Sequence, residues 1–176
     1  MTDLEQALKD CGALQFGDFT LASGAKSKYY IDIKRASTDP KVLKLIAEGM
    51  AAKLKELGLK VDRIAGIVLG SVPLAAALSL ETGIPYVMVR KEKKDHGTGK
   101  LIEGVLNSGE KVLVVEDVIT SAGSSVKGIA TLRAEGAVVE DVFSVIDREA
   151  GGSEALKEIG VRLSPLVKAS DLLKGQ

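Results

Sequence analysis

The sequence predicts an α/β fold, a central, mostly parallel sheet flanked by helices, over one domain of residues 1–176. Three observations predict it. The run 112–115 is short, aliphatic and rich in β-branching, which is how a strand buried on both faces of a parallel sheet reads. Two such runs, 62–69 and the one beginning at Lys111, pass through a small-residue turn directly into a helical apolar pattern. Finally, 176 residues with 45% apolar and 27% charged content suffice for one substantial core.

Composition narrows the function. Lys plus Arg and Asp plus Glu both number 24, so the formal charge is zero. Broad binding to nucleic acid or an anionic membrane wants a basic excess. Aromatics are 3% with no Trp, too few for a base-stacking platform. Cys11 stands alone, so no internal disulfide forms, and a small, partly buried thiol is its plain reading. No basic stretch followed by an apolar one opens the chain, and no apolar run approaches about 18 residues. The expectation is a cytoplasmic protein.

In order, Thr2 and Glu5 form a capping box ahead of a stripe of Leu4, Ala7, Leu8 and Cys11, and Gly12 ends that helix. Residues 15–33 read as a hairpin-like strand pair around a Ser-Gly turn, carrying Phe16, Phe19, Tyr29 and Tyr30. With the first helix it forms an N-terminal hood over about 1–36. Asp39-Pro40 starts a helix whose apolar face runs from Val42 to Leu57, with Gly58 closing it. The strand 62–69 is the first of the main sheet. Gly70 and Ser71 then turn into a helix over 74–80, where their N–H groups can face an anion, although a simple βα turn fits equally well. Strands follow at 85–89, 138–146 and 161–167, with short helices over 154–159 and 169–173.

The stretch 111–125 is the most informative. Glu116 and Asp117 follow the apolar run, then Thr120-Ser121-Ala122-Gly123-Ser124-Ser125, then a helix. In open α/β sheets ligands bind beyond the carboxyl ends of the strands. Small residues let backbone N–H groups converge there, and the helix terminus adds positive charge, so the turn suits a phosphate monoester. The two carboxylates would repel that phosphate, and ribose hydroxyls or a hydrated Mg²⁺ are their natural partners. An ordinary βα turn with an acidic strand end is the competing reading.

Residues 90–104 are polar, glycine-rich and too irregular for helix or strand. They carry Arg90, Lys91, Lys94, Lys100 and the one histidine, His96. A charged run is commonly a solvated surface. Here Gly97, Gly99 and Gly104 point to a hinged flap, and the cations to a polyanion beneath it.

The segment V-V-E-D-V-I-T-S-A-G-S resembles the phosphoribosyl-diphosphate (PRPP) loop of type I phosphoribosyltransferases. R-K-E-K-K-D-H-G-T-G is similar to the mobile loop of the orotate phosphoribosyltransferase family. F-G-D-F-T-L-A-S-G-A-K-S-K-Y-Y-I-D resembles its N-terminal signature, and Asp147-Arg148-Glu149 its substrate-proximal arginine. The resemblance implies transfer of the phosphoribosyl group from Mg-PRPP to orotate, giving orotidine 5′-monophosphate and pyrophosphate, in pyrimidine synthesis. It implies Lys94 and His96 as catalytic residues. PRPP would be bound by these two with Arg90 and Lys91, by Glu116 and Asp117 at the ribose, by Val118 and Ile119 leading on, and by Thr120, Ser121, Ala122, Gly123 and Ser124 at the 5′-phosphate. Orotate would meet Thr120 and Arg148. Mg²⁺ would arrive mainly through PRPP, water-mediated contact to Glu116 and Asp117 being open, with no dedicated protein ligands. The family also implies a homodimer whose flap reaches the neighbouring site.

Besides a mild change, Glu116-Asp117 for Asp-Asp, two departures from the family pattern matter: Ala22 stands where many members carry Lys, and Leu69-Gly70 where many carry Tyr-Lys. Both remove expected diphosphate contacts. The alternatives are a purine-salvage phosphoribosyltransferase, a non-catalytic PRPP-sensing regulator and, more distantly, a receiver-like domain phosphorylated on Asp117.

Overall fold

A computed structural model describes residues 3–20, 24, 26–92 and 99–174. Helix α1 (Asp3–Asp10) leads into a two-stranded antiparallel hairpin, β1 (Leu14–Thr20) with β2 (Lys26–Ile31). Thr2, the expected cap of α1, lies outside the described residues. The chain after β2 does not continue as strand to Ile33, as the sequence pattern suggested. It turns into α2 (Ile33–Ser37), because Asp32 caps it by accepting from the Lys34 N–H at 3.1 Å. Helix α3 (Pro40–Glu56) follows, with the Asp39 carboxylate accepting from the N–H groups of Lys41 and Val42.

Then come β3 (Arg63–Ile67), α4 (Val72–Thr82), β4 (Tyr86–Val89), β5 (Ile102–Glu103), β6 (Lys111–Ile119), α5 (Gly123–Ala134), β7 (Val138–Asp147), α6 (Gly152–Glu158), β8 (Arg162–Lys168) and α7 (Ala169–Leu172). The six-stranded sheet has the order β5-β4-β3-β6-β7-β8, and only the β4–β5 pair is antiparallel. Strand β5 falls inside the segment expected to be irregular throughout. Its Ile102 is buried against the sheet edge, an apolar anchor too short to show a period.

Strand β6 shows why an aliphatic run signals this architecture. Successive side chains alternate faces. Leu113 and Val115 pack with Ile46, Met50, Leu74 and Leu78 from α3 and α4. Val112 and Val114 pack with Ile129, Leu132 and Leu156 from α5 and α6. Both faces are covered, so no polar alternation is visible in the sequence. Arg63 and Glu110 lock the amino ends of β3 and β6 together through a half-buried ion pair at 2.6 Å, which holds the Glu110 carboxyl at about 2. Among the described residues, no helix is long and apolar enough to cross a membrane.

The connections decide where a ligand can bind. From β3 the chain crosses through α4 to β4, toward one edge. From β6 it crosses through α5 and α6 to β7 and β8, toward the other. The strand order therefore reverses between β3 and β6, and the loops leaving their carboxyl ends part to open a crevice.

Candidate active site

That crevice holds a cleft of about 600 Å³, walled by residues 67–71 after β3 and 116–125 at the end of β6. The two strand-turn-helix motifs of the sequence thus converge on one site.

The turn after β6 is built for an anion. Ala122 is the N-cap of α5 at φ 62, and no side chain caps the helix. A non-glycine residue in the left-handed region is strained. An alanine cap also forgoes the side-chain acceptor that Ser, Thr or Asp would supply, a loss of about 1 kcal/mol. A bound phosphate would satisfy the open N–H groups and the positive end of the helix together. Thr120, Ser121, Gly123 and Ser124 are exposed around it.

The adjacent carboxylates divide, because neighbouring strand residues point to opposite faces. Glu116 is buried, accepting from the Ser71 hydroxyl at 2.5 Å and the Ser125 hydroxyl at 2.6 Å. One carboxylate thereby ties the first turn of α4 to that of α5. Burial pushes its pKa above the ordinary carboxylate value, against the two serine hydrogen bonds that lower it. Asp117, which also lines the cleft, is the more open of the two, its side chain 21% exposed. The Val118 N–H donates to Asp117 Oδ1 at 2.8 Å, and Lys34 Nζ lies 3.8 Å from Asp117 Oδ2. The turn after β3 passes so close that a Cβ on Gly70 would overlap Asp117 Oδ2. The Val68–Leu69 peptide in this turn is cis.

The raised Glu116 pKa has a measurable consequence. The folded protein holds that proton more tightly than the unfolded chain, so the residue's contribution to stability falls as pH rises from the unfolded carboxylate pKa to the higher folded one. Glu116→Gln keeps the shape and removes the titration. Its melting temperature should gain on the parent by a few degrees across that window and hold the gain above it. A parent–variant difference that is flat from pH 4 to 8 would show that burial does not raise this pKa.

Lys34, Lys91 and Lys127 bring positive charge to the cleft. Arg90 lies beside it, lining an adjoining hollow with Lys91 and Lys127. Its Nη1 donates to Glu103 at 3.2 Å, and its buried Nε has no hydrogen-bond partner among the described residues. Arg148 is outside the cleft wall, its guanidinium 5.1 Å from the centre of the Tyr29 ring, a cation–π contact from main sheet to hood. Its N–H donates to Ile119 O, and Glu149, at φ 56, donates its N–H to Asp147 and accepts from Ser170. Arg148 is therefore pinned next to the end of β6. Lys94 and His96 lie outside the described residues, as does Ala22. Among the described residues no three His, Cys, Asp or Glu side chains converge as a metal site.

Sequence reasoning missed Lys34, Lys127 and the hydroxyl of Ser71. Lys34 fell in the hood just past the stretch read as strand and was given no role, and Ser71 was credited only with its backbone. No local pattern marks Lys34 or Ser71, since each meets a carboxylate of β6 from an element distant in sequence.

A model of the phosphoribosyl transferase domain matches residues 34–160. An orotate phosphoribosyltransferase of Methanosarcina mazei is 55% identical over 98% of this chain and 91% of its own. The chain belongs to the orotate phosphoribosyltransferase family. Among solved structures, the orotate phosphoribosyltransferase of Aeropyrum pernix superposes with a TM-score of 0.88 at 34% identity, over 97% of this chain and 96% of its own. The Mycobacterium tuberculosis H37Rv enzyme, solved in complex with PRPP, does so with a TM-score of 0.80 at 29% identity, over the same shares. The expected type I phosphoribosyltransferase architecture is the one observed, as these superpositions show.

Proposed function

We propose that the cleft between β3 and β6 binds PRPP, and that this enzyme transfers its 5-phosphoribosyl group to orotate, a step of pyrimidine biosynthesis. What carries the reading is the uncapped α5 terminus with Asp117 beside it at the point where the strand order reverses. The C1–N1 bond to orotate forms as the C1–O bond breaks, and the electron pair leaves with pyrophosphate. Orotate is already an anion, so no strong general base is required.

The roles follow from charge and position. The 120–124 turn seats the 5′-phosphate, with Val118 and Ile119 forming its approach. Asp117 accepts from the ribose hydroxyls. Glu116 serves chiefly from behind, holding Ser71 and Ser125 in place. Arg90 and Lys91 hold the diphosphate, and Lys94 and His96 meet the charge that develops on it. Arg148 pairs with the orotate carboxylate, and Thr120 borders the same base. The donor set fits a Mg²⁺ ion brought in on the diphosphate, with Asp117 as the carboxylate that would hold its water shell. Bound there, such an ion would supply positive charge to offset that of the leaving diphosphate.

The outer face of α4 fits a second copy of the chain. That helix is apolar nearly all round, and Leu80 on it is 89% exposed, with Leu69 of the preceding turn also bare. A homodimer would cover both and bring a neighbour's flap within reach. The protein is placed in the cytoplasm with the pathway it serves. The deciding assay follows loss of orotate absorbance with PRPP and Mg²⁺ while pyrophosphate is detected in parallel. Stoichiometric release is expected. Faster turnover of adenine or hypoxanthine would overturn the choice of base, and PRPP binding without turnover of any base would favour a regulator.

A further inference from the structure

We propose that Lys34 is a diphosphate-binding residue of this enzyme, supplying from the hood the positive charge that the turn after β3 lacks. The inference rests on reading the cleft as the PRPP site.

The wall of the cleft formed by residues 67–71 presents Ile67, Val68, Leu69, Gly70 and Ser71, with no cationic side chain among them. Nor can Gly70 take a side chain in place, because the Asp117 carboxylate fills the space its Cβ would need. A polyanionic diphosphate lying along this wall would face Asp117 with nothing on the turn to offset the repulsion. Lys34 resolves that conflict. Asp32 caps α2 and sets its first turn, which aims the Lys34 side chain across the hood into the cleft. Its ammonium sits 3.8 Å from Asp117 Oδ2, the same oxygen that lies against Gly70. The charge of a lysine therefore stands beside the turn although the turn carries none. The residue is 64% exposed and its contact with Asp117 is long, so the ammonium has both room and freedom to move onto an incoming phosphate oxygen. In the absence of substrate it rests on Asp117. With substrate bound it bridges that carboxylate and the diphosphate, while Asp117 turns its acceptor capacity to the ribose. This also gives the Leu69-Gly70 departure a structural counterpart: the missing cation comes from a different element.

The test compares the parent with Lys34→Ala and Lys34→Arg, using pyrophosphate and ribose 5-phosphate as competitive inhibitors against PRPP. Lys34→Ala should weaken pyrophosphate binding and raise KM for PRPP about tenfold or more, leaving ribose 5-phosphate inhibition and KM for orotate near parental. Lys34→Arg should restore most of the loss. Unchanged pyrophosphate inhibition with weakened ribose 5-phosphate inhibition would overturn the proposal and make Lys34 a residue that merely orients Asp117. No change in either would make it a solvated surface lysine. Melting temperatures of both variants guard against misfolding. Failure of the parent itself to form pyrophosphate would instead sink the reading of the cleft.

Discussion

Lys94→Ala should fold like the parent and turn over about a hundredfold to a thousandfold more slowly. The reason is electrostatic. Charge builds on the diphosphate only as the C1–O bond breaks, so a cation reserved for that moment lowers the barrier without tightening the ground state. The signature is a fall in kcat with a much smaller change in KM for PRPP, and an unaltered melting temperature. A fall in affinity alone would make Lys94 another substrate clamp, and near-parental turnover would remove it from the mechanism. The same variant tests the shared flap. Mixed with Asp117→Ala, equally inactive but damaged at the ribose, it should regain about a quarter of parental activity after subunit exchange. Half of the dimers would then be hybrids, each with one intact site. No recovery, with exchange demonstrated, would place the flap over its own subunit's cleft.

Gly152→Ala should cost stability and substrate affinity together. At the start of α6 a Cβ would come 2.6 Å from Thr120 O and overlap the Ile119 side chain. Neither neighbour can yield freely. Ile119 is buried at the end of β6, and its carbonyl accepts the Arg148 N–H. Overpacking of this kind costs about 1–3 kcal/mol, which for a chain of this size lowers the melting temperature by roughly 2–10 °C. The strain falls on the first residue of the phosphate turn, so KM for PRPP should rise severalfold. Parental stability and parental KM would show that α6 can shift away without disturbing the turn.

These variants separate what is legible locally from what is not. The alternation of strands and helices, the Asp39 cap, the glycine stops and the turn at 120–125 are short-range matters of burial period and backbone freedom, and the chain carries them in plain order. The loop motifs carried the family as well, because phosphate seats demand small residues at a strand-to-helix turn. Less visible were features in which neighbours in sequence part company. Glu116 and Asp117 read as a matched pair, yet pleating sends one inward to two serines and the other into the cleft. Asp32 and Ile33 looked like the tail of a strand, but Asp32 instead caps α2 and Ile33 opens it. Strand β5 was too short to have a period.

By itself, then, the sequence determined the fold class, the phosphate turn and the chemistry that turn serves, since each depends on residues contiguous in the chain. Only the tertiary structure decided that β3 and β6 lie side by side with their connections diverging. That adjacency creates the cleft, brings Ser71 to Glu116, forces a glycine at position 70 and sets Lys34 beside Asp117. Such contacts join residues 45 or more positions apart for the serine and the lysine alike. They are fixed by how sheet and hood pack, which no local pattern encodes.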